Sequence, residues 1–212
     1  MKKEFKLNGR TWYIPTTWED VTIADQIAVE QYSKQTDNNV LALIAGYTGI
    51  PLDELKQAPF NDVKEALAAM SFIKEEIPEV NPKEFDFQGK HYVMQDDIFE
   101  LRTEDVISIL TASENNKDNP IEVYPIILAI IYRAEDEKTL SDFNLDEKKE
   151  IFKGLSLPIG KSAHGFFLSV GNVSEIVSLM SSPEVLKALL QEKLKDCKTS
   201  LSKSAQVGHG KW

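Results

Sequence analysis

Residues that build small-molecule chemistry are scarce in this chain. One cysteine, Cys197, and three histidines occur among 212 residues. A single thiol excludes an intramolecular disulfide framework and a cysteine-rich zinc site, and it fits a reducing compartment. His91, His164 and His209 fall in a hairpin, an apolar helix and the tail. They lack the paired spacing a metal site requires, so each reads as structural. Basic residues are in deficit as well: 24 Lys and Arg against 34 Asp and Glu leave a net charge of −10. That balance disfavours nucleic acid as a partner of the whole chain, because a polyanion is repelled. No apolar run approaches the roughly 20 residues needed to cross a bilayer. Met1-Lys2-Lys3-Glu4-Phe5 carries basic residues with no apolar stretch behind them. Neither a membrane partner nor a signal peptide is expected, and the product reads as soluble and intracellular.

The motifs that mark catalysis are missing too. Gly154-Leu155-Ser156-Leu157-Pro158-Ile159-Gly160-Lys161-Ser162 resembles a phosphate-binding loop, but five residues separate its glycines. Four are needed for successive N–H groups to ring a phosphate. The charged segment before it, Asp146 to Phe152, reads as an amphipathic helix rather than the buried strand that a P-loop follows, so a helix-capping turn is the better reading. No Gly-x-Ser-x-Gly elbow frames a nucleophile. The acidic pairs Glu19-Asp20, Asp96-Asp97 and Glu104-Asp105 stand at apparent helix starts, where the macrodipole favours them, so capping accounts for them better than acid–base work. No catalytic residue, cofactor-binding residue, cofactor or metal ligand is assigned, and the chain is expected not to be an enzyme.

What is present is a pattern of hairpins and apolar helices, which predicts an α+β fold, mostly helical with two small β-hairpins. Phe5 to Ile14 alternates apolar residues around Asn8-Gly9, a strong two-residue hairpin signal. Pro15 stops the second strand, and Thr17 to Asp20 supply a helix start before Val21–Val29. A helix from about Asn39 to Tyr47 is closed by Gly49-Ile50-Pro51, and Pro51 to Leu55 reads as a short turn. Asn61 is the expected cap of a helix over Asp62–Ile73, with Val63, Leu67, Met70 and Ile73 on one face. Ile77 to Pro82 is the expected linker. Beyond it the pattern returns, with Glu84–Val93 matching Glu4–Tyr13 and Thr103-Glu104-Asp105-Val106 echoing Trp18-Glu19-Asp20-Val21. Asp118-Asn119-Pro120 likewise echoes Asp37-Asn38-Asn39. We read a tandem duplication of a hairpin-plus-helices unit, with domains at 1–80 and 81–180 and a C-terminal helix and basic arm at 181–212.

The expected core lies between Asn119 and Gly171. Ile126 to Tyr132 is apolar nearly all round, as a helix buried on most of its circumference is. Pro125 either starts that helix or kinks it. Ser162 to Leu168 follows the breaker Pro158-Ile159-Gly160 and reads as a second buried helix, so Ile127, Ile131, Phe167 and Val170 are expected in the core. The C-terminus is the expected partner-gripping arm. Ser182 and Pro183 open a helix whose face carries Leu186, Leu190 and Leu194. From Val185 onward six lysines, Lys203 among them, stand against Glu192 and Asp196, on a chain whose total charge is −10. Trp212 adds a terminal indole suited to a neighbour's pocket. Trp12 is a further candidate contact, beside the alternative that its hairpin packs on its own helices.

Two stretches carry a family resemblance. The hairpin with its turn glycine, Leu128-Ala129-Ile130-Ile131-Tyr132-Arg133, Phe152–Pro158 and Gly165–Gly171 resemble small structural or assembly proteins of tailed bacteriophages, those of crAss-like phages above all. Thr17-Trp18-Glu19-Asp20-Val21-Thr22 with Leu43–Gly49 and Leu67–Phe72 is similar to phage tail assembly chaperones. Together they cover about residues 4 to 171. The resemblance implies a non-enzymatic virion protein, a ring or neck–tail subunit repeated around a symmetry axis. The alternative it leaves open is a tail assembly chaperone absent from the mature particle. The implied partners are other copies of the chain and other virion proteins, met in the host cytoplasm during assembly and in the tail or neck of the particle. An enzyme with a site that no motif marks is the remaining class.

Overall fold

Two residue pairs with left-handed backbone set the positions of the two hairpins. Asn8 and Gly9 have φ of 50° and 76°, and Gln88 and Gly89 have 49° and 78°. Two successive residues of this kind make a turn whose twist matches that of the strands it joins. In the computed structural model, which describes residues 2–80, 82–95, 101–138 and 142–170 (166–170 by backbone alone), these turns join β1 (Lys3–Leu7) to β2 (Arg10–Ile14) and β3 (Glu84–Phe87) to β4 (Lys90–Met94). Both pairs are antiparallel and in equivalent register, Phe5 facing Trp12 and Phe85 facing Tyr92. The fold is α+β and mostly helical, as the sequence predicts.

The helices after each hairpin follow in the same order twice. The first set is α1 (Ile23–Ser33), α2 (Asn39–Thr48), α3 (Leu52–Gln57) and α4 (Phe60–Ala69). The second is α5 (Thr103–Asn115), α6 (Tyr124–Ile131), α7 (Leu145–Phe152) and α8 (Leu157–Val170). Short polar side chains set the starts of α1, α2 and α7. Thr22 and Asp25 form a reciprocal capping box at α1, Asp25 N–H to Thr22 Oγ1 at 3.1 Å and Thr22 N–H to the Asp25 carboxylate at 2.9 Å. Asn38 Oδ1 accepts from Val40 and Leu41, Asn144 Oδ1 from Asp146 and Glu147, and Gly49 ends α2 at φ 73°. The second unit adds a strand that the first lacks. β5 (Tyr132–Arg133) pairs with β4, Val93 opposite Arg133 and Met94 opposite Tyr132.

Several expected boundaries move. α1 starts at Ile23, and Trp18–Asp20 is a separate 3-10 turn ahead of it. The equivalent of the α5 start is therefore Thr22, with Asp25 and Asp105 both at the third helical position, rather than Trp18. α4 begins at Phe60 after Pro59, ahead of the expected cap Asn61, and gives way at Ser71–Lys74 to a 3-10 turn instead of running to Ile73. Pro120–Val123 forms a 3-10 turn from which α6 continues, with Pro125 in the first turn of α6 where its missing N–H costs nothing. Pro158 and Gly160 do not break the chain. They lie in the first turns of α8, which starts at Leu157 and not Ser162. Proline is well placed there, and Gly160 lies so close to Ile23 that a Cβ would sit 2.7 Å from its Cδ1.

The core is continuous across both units. Phe5, Leu7 and Ile14 on one face of the first hairpin are buried, as are Ile23, Ile44 and Met70 in the helices of that unit. α1 and α2 touch along their length, with Gly46 so near Val29 that a Cβ would lie 2.6 Å from its backbone nitrogen. In the second unit Ile127, Leu128, Ile130 and Ile131 of α6 are all buried, which places Ile127 and Ile131 where the sequence predicts them. The side chains of Phe167 and Val170 lie outside the described residues. A backbone clasp joins the units. Leu155 C=O accepts from Ile23 N–H at 3.0 Å, Lys153 C=O accepts from Ala24 N–H at 2.9 Å, and Val21 C=O accepts from Leu157 N–H at 2.8 Å. Both hairpins and their helices up to Phe167 belong to one compact body.

Candidate functional site

Four charged side chains are buried together in the second unit: Asp105, Arg133, Glu137 and Lys148. Each comes from a different element or loop. Asp105 sits in the first turn of α5, where one carboxylate oxygen accepts from the Arg102 N–H at 3.1 Å. Its other oxygen accepts from Arg133 Nη2 at 3.0 Å. β5 carries Arg133, whose Nε donates to the Ile130 carbonyl at 2.8 Å. Glu137 lies on the loop after β5 and accepts from the Ala134 N–H at 3.1 Å. Lys148, on α7, donates to Glu137 and to the Tyr132 carbonyl at 2.8 Å.

Aromatic rings complete the surroundings of Lys148. Its Nζ lies 4.1 Å from the centroid of Phe143, 5.4 Å from that of Tyr92 and 5.6 Å from that of Phe152. Ring faces attract a desolvated ammonium. Burial nevertheless pushes the Lys148 ammonium down to about 8, against the opposing pull of Glu137. Burial in the same region raises the Tyr132 phenol to about 12, and the Tyr132 hydroxyl donates to the Pro82 carbonyl at 2.7 Å. A cleft of about 300 Å³ opens beside the cluster, lined by Tyr92, Glu137, Phe143 and Lys148 together with Lys90, Asp142 and Glu147. Such an arrangement can fix the position of β5 and its following loop against α5 and α7, because each buried charge is held by at least two protein groups.

Sequence reasoning missed this cluster. Its members are separated by 28 residues in one pair and 11 in the other, and Asp105, Glu137 and Lys148 stand in stretches that read as solvated faces. The one available signal is Arg133 directly after an apolar run, a charged residue in a position whose neighbours are all core. Asp105 was expected to act as a cap, and it does so while also pairing with Arg133.

The two described histidines do not converge. His91 pairs with Asp86 at 2.8 Å on the exposed side of the hairpin, and His164 packs against the Tyr124 ring at 5.1 Å, where burial lowers its pKa. His209 lies outside the described residues. Among the described residues no group of three or more His, Cys, Asp or Glu is placed to hold a metal ion.

Of the expected contact residues, Leu186, Leu190, Leu194, Lys203 and Trp212 lie outside the described residues, and so does the acidic pair Asp96-Asp97. Trp12 is half-buried on the core side of β2, on the same face as Phe5, and its indole N–H finds no hydrogen-bond partner. Other apolar side chains are more exposed: Phe60 by 78 % at the start of α4 and Tyr13 by 54 % on β2. No described helix is long and apolar enough to cross a membrane. Set against known proteins, the chain matches no family model, no curated protein and no solved structure.

Proposed function

We propose that the chain is a non-enzymatic structural protein of a tailed-bacteriophage virion, a ring or neck–tail subunit that works by protein–protein contact in a symmetric assembly. The observation that carries this reading is Phe60. An aromatic side chain 78 % exposed at the first residue of α4 leaves a large apolar surface in water, and aromatic residues of this kind are enriched where one protein meets another. The resemblance of Phe152–Pro158 and Leu128–Arg133 to phage structural proteins supplies the setting. In that setting the protein is made in the host cytoplasm, where its partners are other copies and other virion proteins, and ends in the tail or neck of the particle.

Mass spectrometry of purified virions tests the reading. A ring subunit is present at many copies per particle. A protein abundant in infected cells and missing from particles is instead a tail assembly chaperone.

A further inference from the structure

The loop that leads into α8 and the loop that leads into α4 share a pattern of backbone hydrogen bonds in different surroundings. Within 152–160 the backbone bonds run Leu155 N–H to Phe152 C=O, Ile159 N–H to Ser156 C=O and Gly160 N–H to Ser156 C=O. Within 55–63 they run Ala58 N–H to Leu55 C=O, Asp62 N–H to Pro59 C=O and Val63 N–H to Pro59 C=O. The correspondence has no gaps, and it places Phe60 on Leu157 and Val63 on Gly160.

The surroundings differ completely. The second unit's loop is clasped to the start of α1, where its carbonyls satisfy the N–H groups of Ile23 and Ala24 and Leu157 is 1 % exposed. Those N–H groups are orphans of any helix start. At the start of α5 the equivalent donors are Thr103 and Glu104, both exposed and without a hydrogen-bond partner among the described residues. So the described residues carry one closed clasp and both halves of an open one: a loop ending in exposed Phe60, and a helix start whose first donors are exposed and unbonded among the described residues.

Side-chain sizes fit the open halves to each other. In the closed clasp Ile23 of α1 presses on Gly160, which leaves no room for a Cβ. In the open halves the helix side has the smaller Thr103 and the loop side the larger Val63. Thr103 lacks the Cδ1 by which Ile23 crowds Gly160, so the loop side can carry a side chain at that position.

We infer that the Phe60 loop of one copy docks on the α5 start of a second copy of this chain, repeating between molecules the clasp that joins the units within one. The contact is heterologous, so each molecule offers one loop and one helix start. It propagates head to tail and closes into a ring if the rotation per copy divides a full turn. The inference deepens the proposed function and rests on it only for the symmetric setting.

Sedimentation velocity of the full chain over a concentration series tests the contact with two variants. Phe60→Glu removes the anchor at an exposed position, and Thr103→Pro removes the first donor of α5 at the helix position where proline is best tolerated. The wild type is expected to associate with rising concentration and each variant alone to lose that association, with melting temperatures unchanged. An equimolar mixture of the two variants retains one intact pair of surfaces and stops at a one-to-one dimer. A wild type that stays monomeric, variants that associate like the wild type, or a mixture that does not pair each overturn the inference. A monomeric wild type with a lower melting temperature for Phe60→Glu assigns Phe60 to a partner in its own chain. Virions that hold many copies of the protein and take up Phe60→Glu normally overturn the contact and keep the virion reading. Variants that pair as expected, of a protein missing from virions, do the reverse.

Discussion

The two units of this chain share an element order and differ in what fills them. In the first, α1 and α2 close on each other through Gly46 and Val29, backbone against backbone, and the hairpin, with Phe5, Leu7 and Ile14 buried on one face, meets α2 and α4. In the second, two ion pairs stand in the interior and a third strand is added to the hairpin. A buried ion pair adds little net stability over an apolar filling, yet it is costly to break. The comparison teaches that one scaffold tolerates both solutions. It is tight apolar contact where helices can approach, and a hydrogen-bonded charge cluster where a strand and a loop must be held at fixed positions.

Three experiments sharpen that contrast. The largest effect is expected from Glu137→Ala, which leaves the Lys148 ammonium buried without its carboxylate. Loss of one partner from a buried pair costs about 3–5 kcal/mol, read as a drop in unfolding free energy by urea titration. Glu137→Gln together with Lys148→Met, which removes both charges and keeps an acceptor for the Ala134 N–H, should cost far less, and a loss equal to that of Glu137→Ala would mean the ion pair is stabilising in itself.

Next comes Gly46→Ala in the first unit. Its new Cβ would fall 2.6 Å from the Val29 nitrogen and 2.8 Å from its Cα, so α1 and α2 must separate. Overpacking of this kind costs about 1–3 kcal/mol, while the same change at Gly165, with open space around it, should cost little. Equal melting temperatures for the two alanine variants would remove the close approach as the organising feature of the first unit.

The third effect is the dependence on pH. Burial lowers Lys148 from 10.5 to about 8 in the folded chain. Between those values the unfolded chain holds the proton and the folded chain does not, so stability rises as pH climbs from about 8 towards 10. The slope is roughly 1.4 kcal/mol per pH unit at most. Above about 10 the trend reverses. Burial raises Tyr132 to about 12 and raises Tyr47 as well, so the unfolded chain sheds phenol protons that the folded chain keeps. Unfolding titrations at closely spaced pH should show the rise in the wild type and lose it in Lys148→Met.

Much of this architecture was legible because single residues dictate it. Asn8-Gly9 and Gln88-Gly89 specify two turns, Asn38 and Gly49 bracket α2, and the apolar run after Pro125 announces a buried helix. Proline and glycine misled at α8, where Pro158 and Gly160 read as a breaker. A proline in the first helical turn and a glycine chosen for close packing look the same in sequence as a stop. The charge cluster stayed hidden for a different reason. Lys148 lies in Leu-Asp-Glu-Lys-Lys-Glu, and nothing local tells the one buried lysine from its exposed neighbours, because its partners are supplied by β5 and the loop after it. The exposed Phe60 was passed over as well, since its meaning depends on comparison with buried Leu157.

The clasp between Thr22 and Ser156 also governs the order of events in folding. It joins points about 130 residues apart, and closing a loop of that size costs about 2 kcal/mol more than closing one of about ten residues. The hairpins and the α1–α2 pair, whose contacts are local, can form early. Ile23 and the first N–H groups of α1 wait for a segment synthesised long after them. Topologies that depend on distant pairings fold slowly and leave surface uncovered in the interval. During synthesis, then, the start of α1 stands open just as the start of α5 does in the finished chain, so a nascent molecule offers the Phe60 loop two landing places where the mature one offers a single correct one.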